Sequence, residues 1–175
     1  PTAKRERKST RSQNTKSAKT VLPTPEEVKS CLDQIVKKGS KEGAKARQVL
    51  LYIIYYAGLR PSEAVALHIE DCTLPDTGWG VLDIHRARVD CGAVWSGDSP
   101  KIGATKTDAR QVPIPQELVA IVKEHIGTRT TGLVAPSERN TMMSVNNLTK
   151  TWISVRTNPK WRVYDLRAAC ASLRV

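Results

Sequence analysis

The sequence predicts a mainly helical fold that contains one small three-stranded antiparallel sheet. Apolar residues recur at helical spacing in most segments of the 175-residue chain, and several of these segments start at capping residues and end at glycine. Two segments in the middle of the chain instead alternate with the period of a strand. The length suits one domain plus an arm. Because Phe is absent, Leu, Ile and Val must form most of the core.

Residues 1–23 are rich in Lys, Arg, Ser and Thr without periodicity, so we expect an interdomain linker or arm. Residues 1–20 hold seven basic residues against one acidic residue, a net charge of +6, which leaves +5 of the total of +11 for the rest. This charge suggests a polyanionic partner, although charge alone does not distinguish DNA, RNA and an anionic membrane, and a tail without function fits equally well. The candidate DNA-binding residues of the arm are Lys4, Arg5, Arg7 and Lys8.

Three helices are predicted early in the domain, which we assign to residues 24–175. Thr24 is a suitable N-cap, with Pro25 at the first helical position and Glu27 three residues after the cap. Residues 44–57 are apolar on most sides, which places this helix at the centre of the core, and Gly58 ends it. A third helix is predicted over residues 61–69, with Pro61 at its first position.

The middle of the chain predicts the sheet. Residues 81–85 and 110–114 alternate with period two, and residues 103–109 between them predict a hairpin turn, although the middle strand of the sheet is weakly marked. Three further helices follow, over residues 115–126, 144–155 and 163–173.

Several classes of protein are disfavoured by composition. No segment approaches the roughly 20 apolar residues of a membrane helix, and the first 20 residues contain no apolar stretch of the signal-peptide kind. The cysteines are widely separated, without a C-x-x-C pair or a histidine cluster. We therefore expect a cytoplasmic protein that has reduced thiols, contains no zinc site and does not span a membrane. The four cysteines are Cys31, Cys72, Cys91 and Cys170.

Three separated segments contain the candidate site residues. Residues 57–67 have the sequence AGLRPSEAVAL, residues 106–114 have KTDARQVPI, and residues 164–167 have YDLR. Each has an ordinary explanation when taken singly. Arg60, Lys106 and Arg167 fit solvated surface charges, and Glu63 fits the residue that accepts the N-cap amide of a helix.

Together and in this order, the three segments closely resemble the tyrosine recombinase (phage integrase) family. That family has G-L-R-x-S-E at the start of a helix, a K-T hairpin turn before a V-P strand, and H-x-x-R entering a late helix. The resemblance covers residues 24–175 and implies the family's catalytic-domain fold. It also implies double-stranded DNA as the partner, DNA integration or recombination as the activity, and a 3′-phosphotyrosine intermediate formed without metal or cofactor.

The resemblance also implies roles for the matching residues. Arg60 and Arg167 would bind the scissile phosphate, because a guanidinium offers a planar pair of donors to two phosphate oxygens and stays charged. Lys106 would protonate the departing 5′-oxygen, and Glu63 would orient Arg60. Arg110, in the second segment, is a further candidate for DNA binding.

The sequence departs from the family in two places. Tyr164 stands where the family most often has histidine; a phenol, with an ordinary pKa near ~10, can donate a hydrogen bond to phosphate but is a poor general base. The family's nucleophilic tyrosine lies beyond H-x-x-R, and no tyrosine follows Arg167 here, while Tyr52, Tyr55 and Tyr56 fit the core. We therefore expect this chain to be an incomplete catalytic domain that binds DNA phosphate without cleaving it.

Two other functions are compatible with the sequence. A non-catalytic DNA-binding accessory module would keep the fold without depending on Arg60 and Arg167. An RNA-binding protein would also be basic, but no aromatic-rich stacking strand is present. The favoured hypothesis is a bacterial or phage-encoded recombinase acting on the chromosome, tetrameric on DNA at full length. In the family an amino-terminal domain completes the clamp around DNA, and carboxy-terminal helices often dock onto a neighbouring subunit. This chain alone is therefore expected to be a monomer with weak, strongly salt-dependent DNA affinity.

Overall fold

A computed structural model describes residues 21–38, 41–89, 101–104 and 109–171, and it confirms a mainly helical chain with a three-stranded antiparallel sheet. The helices are α1 (Pro25–Lys38), α2 (Lys41–Ala57), α3 (Pro61–Ala64), α4 (Gln116–Ile126), α5 (Val145–Val155) and α6 (Val163–Cys170). The strands are β1 (Cys72–Thr73), β2 (Gly80–Ile84), β3 (Arg86–Val89), β4 (Lys101–Ala104) and β5 (Arg110–Ile114).

Helix α2 is the centre of the core, as its apolar sequence predicts. Val49, Leu50, Leu51, Ile53 and Ile54 are all buried, on several sides of the helix. Helices α1, α4, α5 and α6 each pack against α2. The core is built mainly from Leu, Ile and Val, with Trp152 as its largest fully buried side chain. A helix enclosed in this way gives a rigid support to the residues that follow its end.

Except for α2, the predicted helix starts are confirmed to within one residue. The Thr24 N–H donates to Glu27 Oε2 at 2.8 Å, and the Glu27 N–H donates to Thr24 Oγ1 at 3.3 Å, so α1 begins with a reciprocal capping box. Ser144 caps α5 by accepting from the Asn147 N–H. The prediction for the last helix ran to residue 173; α6 ends at Cys170, and residues 172–175 lie outside the described residues.

The third helix is shorter than predicted. The prediction covered residues 61–69, whereas α3 ends at Ala64 and a 3₁₀ turn, Ile69–Asp71, follows. Between them the backbone bonds to a distant segment: the Ile69 N–H donates to Gly132 O at 2.8 Å, and the Val134 N–H donates to Leu67 O at 2.9 Å. A continued helix would lose these bonds, so tertiary pairing overrides the local helical pattern.

The sheet is confirmed, but its third strand was predicted in the wrong place. Strand β2 lies between β1 and β5, with Leu82 opposite both Cys72 and Val112. The sequence predicts a middle strand between the two marked strands, whereas β2 and β5 pair directly and the third strand, β1, precedes β2. Strands β3 and β4 form a separate two-stranded ladder, in which Gly103 and Ala104, predicted as part of a turn, are paired. Strands of two to four residues are too short to show a period.

The start of the described chain contacts the core. Leu22 packs against it, and Val21 O accepts a hydrogen bond of 2.8 Å from Trp161 Nε1. Residues 21–23 were assigned to the arm, and the rest of the arm lies outside the described residues. None of the helices in the part of the chain that the structure describes is long and apolar enough to cross a membrane.

Candidate functional site

Arg60 lies at the turn that joins α2 to α3. Helix α2 ends at Ala57, and Gly58 takes a positive φ of 66°, a backbone conformation that suits glycine. Leu59 is fully buried, which anchors the turn. Arg60 then occupies the N-cap position of α3 with its side chain 27% exposed. The core therefore fixes the backbone of Arg60 while its guanidinium reaches the surface.

Glu63 holds Arg60 through one buried carboxylate. Its side chain is only 1% exposed. Oε2 accepts the backbone N–H of Arg60 at 2.9 Å, and Oε1 accepts Arg60 Nη1 at 3.1 Å. Glu63 thus has both of the roles considered from the sequence. It caps the start of α3, and it also binds the side chain of Arg60.

The same carboxylate also pairs with Arg110, which comes from β5. Arg110 Nη1 donates to Glu63 Oε1 at 3.1 Å, and Nη2 donates to Oε2 at 2.8 Å. This parallel pair of bonds is the strongest geometry for an arginine and a carboxylate. We call Arg60, Glu63 and Arg110 the Glu63 clamp. It carries two positive charges against one negative charge, a net charge of +1.

The pKa values in the Glu63 clamp follow from this pairing. Burial by itself raises the pKa of Glu63, but the hydrogen bonds from Arg110 and from the Arg60 backbone, with the charge of Arg110, outweigh it and lower the pKa below its ordinary value. The hydrogen bond to Glu63 raises the pKa of Arg110. Glu63 is therefore ionised at neutral pH, and the clamp keeps both arginines charged.

Arg167 lies in α6, which packs against the end of α2. Leu166 and Cys170 are buried on this helix, and Cys170 Sγ donates to Tyr56 O at 3.2 Å. Arg167 is half-buried, and its guanidinium has no hydrogen-bond or ion-pair partner among the residues that the structure describes. A half-buried cation without a counter-charge favours the binding of an anion.

Arg110 and Arg167 line the same cleft, which has a volume of about 460 Å³. We call it the α2–α6 cleft, since its lining includes Ala57 and Gly58 at the end of α2 and Arg167 and Cys170 of α6. A Cβ added at Gly58 would lie 3.2 Å from Cys170 Sγ, so the two helices approach closely here. The cleft thus begins two residues from Arg60, although Arg60 itself is not one of its lining residues.

A neighbouring cleft of about 430 Å³ differs in charge. It shares Arg110 and Gln111 with the α2–α6 cleft but is also lined by Asp71, Asp83 and His85. Asp71 is buried and pairs with Arg86 at 2.8 Å. Two carboxylates disfavour a phosphate at this position, so the α2–α6 cleft is the better place for one.

The other predicted site residues are only partly located. Tyr164 lies one turn before Arg167 on α6, is 59% exposed, and does not line the α2–α6 cleft. Tyr52 and Tyr55 are buried as expected, and Tyr56 packs against the core. Five predicted site residues lie outside the described residues: Lys106, Lys4, Arg5, Arg7 and Lys8.

The pairing of Arg110 with Glu63 was missed by the sequence analysis, which treated Arg110 as a DNA-binding residue only. A signal was present, because Arg110 shares the period-two face of β5 with the buried Val112 and Ile114. An arginine on an inward face requires a counter-charge. The alternation along β5 does not identify that counter-charge, because Glu63 belongs to α3.

Comparison with known proteins identifies this fold. No family model matches the chain. The integrase of Mycobacterium phage D29 is 28% identical to it over 137 residues. Among solved structures, the Tn1549 transposon integrase in complex with a circular intermediate DNA superposes with a TM-score of 0.66 at 16% identity, over 91% of this chain. The chain therefore has the fold of tyrosine recombinase catalytic domains.

Two further recombinases share this fold. The XerH site-specific recombinase bound to its palindromic difH substrate matches with a TM-score of 0.58 and 21% identity, over 87% of this chain and 41% of that one. The XerA recombinase matches with a TM-score of 0.63 and 14% identity, over 90% and 50% of the two chains. This chain spans about half of the Tn1549 integrase structure, 54%, and 35% of the phage D29 integrase.

Proposed function

We propose that this chain serves site-specific DNA recombination, as part of a phage-type integrase, by binding the scissile phosphate of double-stranded DNA at the α2–α6 cleft. The observation that carries the proposal is the convergence of Arg110 and Arg167 on one cleft whose wall lies two residues from Arg60. Negative charge builds up on the phosphate oxygens during attack, and cations fixed in advance stabilise it. The matches to an integrase and a recombinase bound to DNA support this ligand.

Arg167 and Arg60 are the proposed phosphate ligands. Arg167 has no competing carboxylate among the described residues, so a phosphate would supply its counter-charge. Arg60 is held by Glu63, which fixes the direction of its guanidinium before DNA arrives. Arg110 pairs with Glu63 and also lines the cleft. It therefore holds the Glu63 carboxylate in place and adds positive charge for DNA binding.

The remaining roles follow from the family resemblance. Lys106 would protonate the departing 5′-oxygen, and Tyr164, which is exposed on the same helix as Arg167, would donate a hydrogen bond to the phosphate. Lys4, Arg5, Arg7 and Lys8 would contact the DNA backbone without reading its sequence. The reaction would need no metal or cofactor, and it would take place on DNA in the bacterial cytoplasm.

The nucleophile of the proposed reaction comes from outside these 175 residues. Tyr52 and Tyr55 are buried, Tyr56 packs beside them, and Tyr164 precedes Arg167, whereas the family's nucleophile follows that arginine. In the complete protein, a tyrosine would form the 3′-phosphotyrosine bond, and the protein would be a tetramer on DNA. This chain alone is proposed to be a monomer that binds DNA without cutting it.

Replacing Arg167 by Ala tests phosphate binding directly. Because Arg167 makes no side-chain bond among the described residues, the substitution should leave stability unchanged. Loss of a charge-assisted bond should weaken duplex binding about 10- to 100-fold in fluorescence anisotropy. Lys29→Ala, which removes one exposed charge on α1, is the matched control. Equal affinities for the two variants would favour a non-catalytic accessory module instead.

A nicked suicide DNA substrate tests whether the chain cleaves. We expect no covalent protein–DNA adduct on a denaturing gel, with Tyr164→Phe as the parallel sample. An adduct formed by the unmodified chain and lost in Tyr164→Phe would mean that Tyr164 is itself the nucleophile, contrary to the proposal.

A further inference from the structure

A second basic cleft lies between α2, β3 and the segment that leads into α5. It has a volume of about 610 Å³, and its lining includes Arg47, Arg88 and Arg139. We call it the arginine cleft. Glu138 is the one acidic residue in its lining, so its four charged side chains carry a formal net charge of +2. None of these residues belongs to the three segments that resemble the recombinase motifs.

Arg88 is fixed in this cleft by the backbone. Its Nη1 donates to Met142 O and to Met143 O, both at 3.2 Å, which ties β3 to the chain segment before α5. Its guanidinium therefore has a set position before any ligand binds, and a donor that is already in place loses little entropy when it binds an anion.

Arg47 and Arg139 add positive charge to the cleft, and neither has a counter-charge among the described residues. Arg47 projects from α2 and is half-buried, and Arg139 is exposed in the loop before α5. In the described parts of the chain, neither guanidinium has a carboxylate or other hydrogen-bond partner. Partial burial of the Arg47 charge without a partner is unfavourable, and an anion that enters the cleft would neutralise it and accept hydrogen bonds from both arginines.

The arginine cleft and the α2–α6 cleft are both lined by residues of the central helix α2. Arg47 lies ten positions before Ala57 on α2, so the two clefts are separated along the helix by roughly 15 Å at ~1.5 Å per residue. A DNA duplex advances this distance in roughly four or five base pairs at ~3.4 Å each. Strand β3 also packs against α3, which follows Arg60. The spacing along α2 therefore matches a few base pairs of one duplex.

We infer that the arginine cleft binds a DNA backbone phosphate several base pairs from the scissile one, with Arg47 and Arg139 as its ligands and Arg88 as its fixed wall. The inference rests on the proposed function, since it takes the same duplex as ligand. Contacts of this kind fix the register of a protein on DNA and carry no base specificity. The site would thus position the scissile phosphate over Arg167 without selecting the sequence.

The salt dependence of duplex binding tests the inference. The affinity of a 30-base-pair duplex is measured by fluorescence anisotropy at several salt concentrations for the wild type, for Arg47→Ala/Arg139→Ala, and for Lys29→Ala/Lys123→Ala, a control that also removes two positive charges. Each lost phosphate contact lowers the slope of log affinity against log salt by about 0.9. In the arginine variant we expect the slope to be smaller by about 1, since one phosphate contact is lost, and in the control we expect an unchanged slope.

Three outcomes separate the claims. A reduced slope in the arginine variant on duplexes of unrelated sequence, restored in Arg47→Lys/Arg139→Lys, supports the inference because Lys keeps the charge. Equal slopes for the arginine variant and the control overturn it, provided that thermal denaturation shows both variants folded. Absence of duplex binding by the wild type would instead refute the proposed function on which the inference rests.

Discussion

Glu63 is the residue on which the candidate site depends. A carboxylate that is 1% exposed must be fully hydrogen-bonded, and Arg60 and Arg110 provide the bonds. The charge of Glu63 holds together two cations that would otherwise repel each other beside the α2–α6 cleft. A buried carboxylate between two arginines therefore reduces their mutual repulsion and keeps two positive charges side by side.

Replacing Glu63 by Gln is expected to destabilise the chain by roughly 2 kcal/mol. The variant keeps the shape but loses two charge-assisted pairs, and the partial exposure of both arginines reduces the cost relative to a fully buried pair. Urea denaturation at pH 7 measures the change. A loss below about 0.5 kcal/mol would show that the carboxylate is not needed to hold the arginines.

The stability that Glu63 provides should depend on pH. Because its pKa is lower in the folded chain than its ordinary value, the stabilisation is complete above the ordinary value, ~4.3, and is lost as the pH falls through the lower folded value. The difference in free energy of unfolding between the wild type and Glu63→Gln should therefore shrink between pH 7 and pH 3. A constant difference would contradict the assignment of Glu63 as an ionised partner.

At the scale of elements, the contact between the end of α2 and helix α6 brings Arg167 close to the turn that carries Arg60. Gly58 allows this contact, since it combines a positive φ with a close approach to Cys170. The contact is between a turn and a helix distant in sequence, so no local propensity encodes it. The sequence predicts the end of α2 at Gly58 but does not predict the contact with α6.

Gly58→Ala should cost more stability than Gly78→Ala. Both positions have positive φ, and each substitution should cost about 1 kcal/mol from backbone strain, but the Cβ at Gly58 would also press on Cys170 Sγ while nothing lies within 4 Å of the Cβ at Gly78. Chemical denaturation of both variants gives the difference. In the double variant Gly58→Ala/Cys170→Ala the costs should be less than additive; full additivity would mean that the two residues do not interact.

Local chemistry explains which elements could be predicted. The start of α1 depends on Thr24 and Glu27, which are three residues apart, and the apolar surface of α2 marks its central place. The end of α3 depends on bonds to Gly132 and Leu133–Val134, and the short strands β1, β3 and β4 depend on pairing partners that a local pattern does not identify.

In the candidate site, the sequence motifs identify Arg60 and Arg167. The bond between Arg110 and Glu63 could not be predicted from the sequence, because it joins two elements that only the fold brings together.

At the scale of the whole molecule, positive charge is concentrated in two clefts reached from α2, and the cleft with Asp71 and Asp83 is unsuited to phosphate. DNA binding by such a surface should weaken steeply with salt. With about four phosphate contacts, raising the salt from 0.05 to 0.2 M should reduce affinity roughly 100-fold. Anisotropy titrations at the two concentrations measure this, and an affinity insensitive to salt would argue against a phosphate-based interface.

The central claim is that Arg60 and Arg167 act on one phosphate. A crystal structure of the chain bound to a short DNA duplex tests it most directly. We predict one backbone phosphate within hydrogen-bond distance of both guanidinium groups, with Glu63 still paired to Arg60 and Arg110. A duplex whose nearest phosphates contact the two arginines separately, or that binds elsewhere on the surface, would contradict the account.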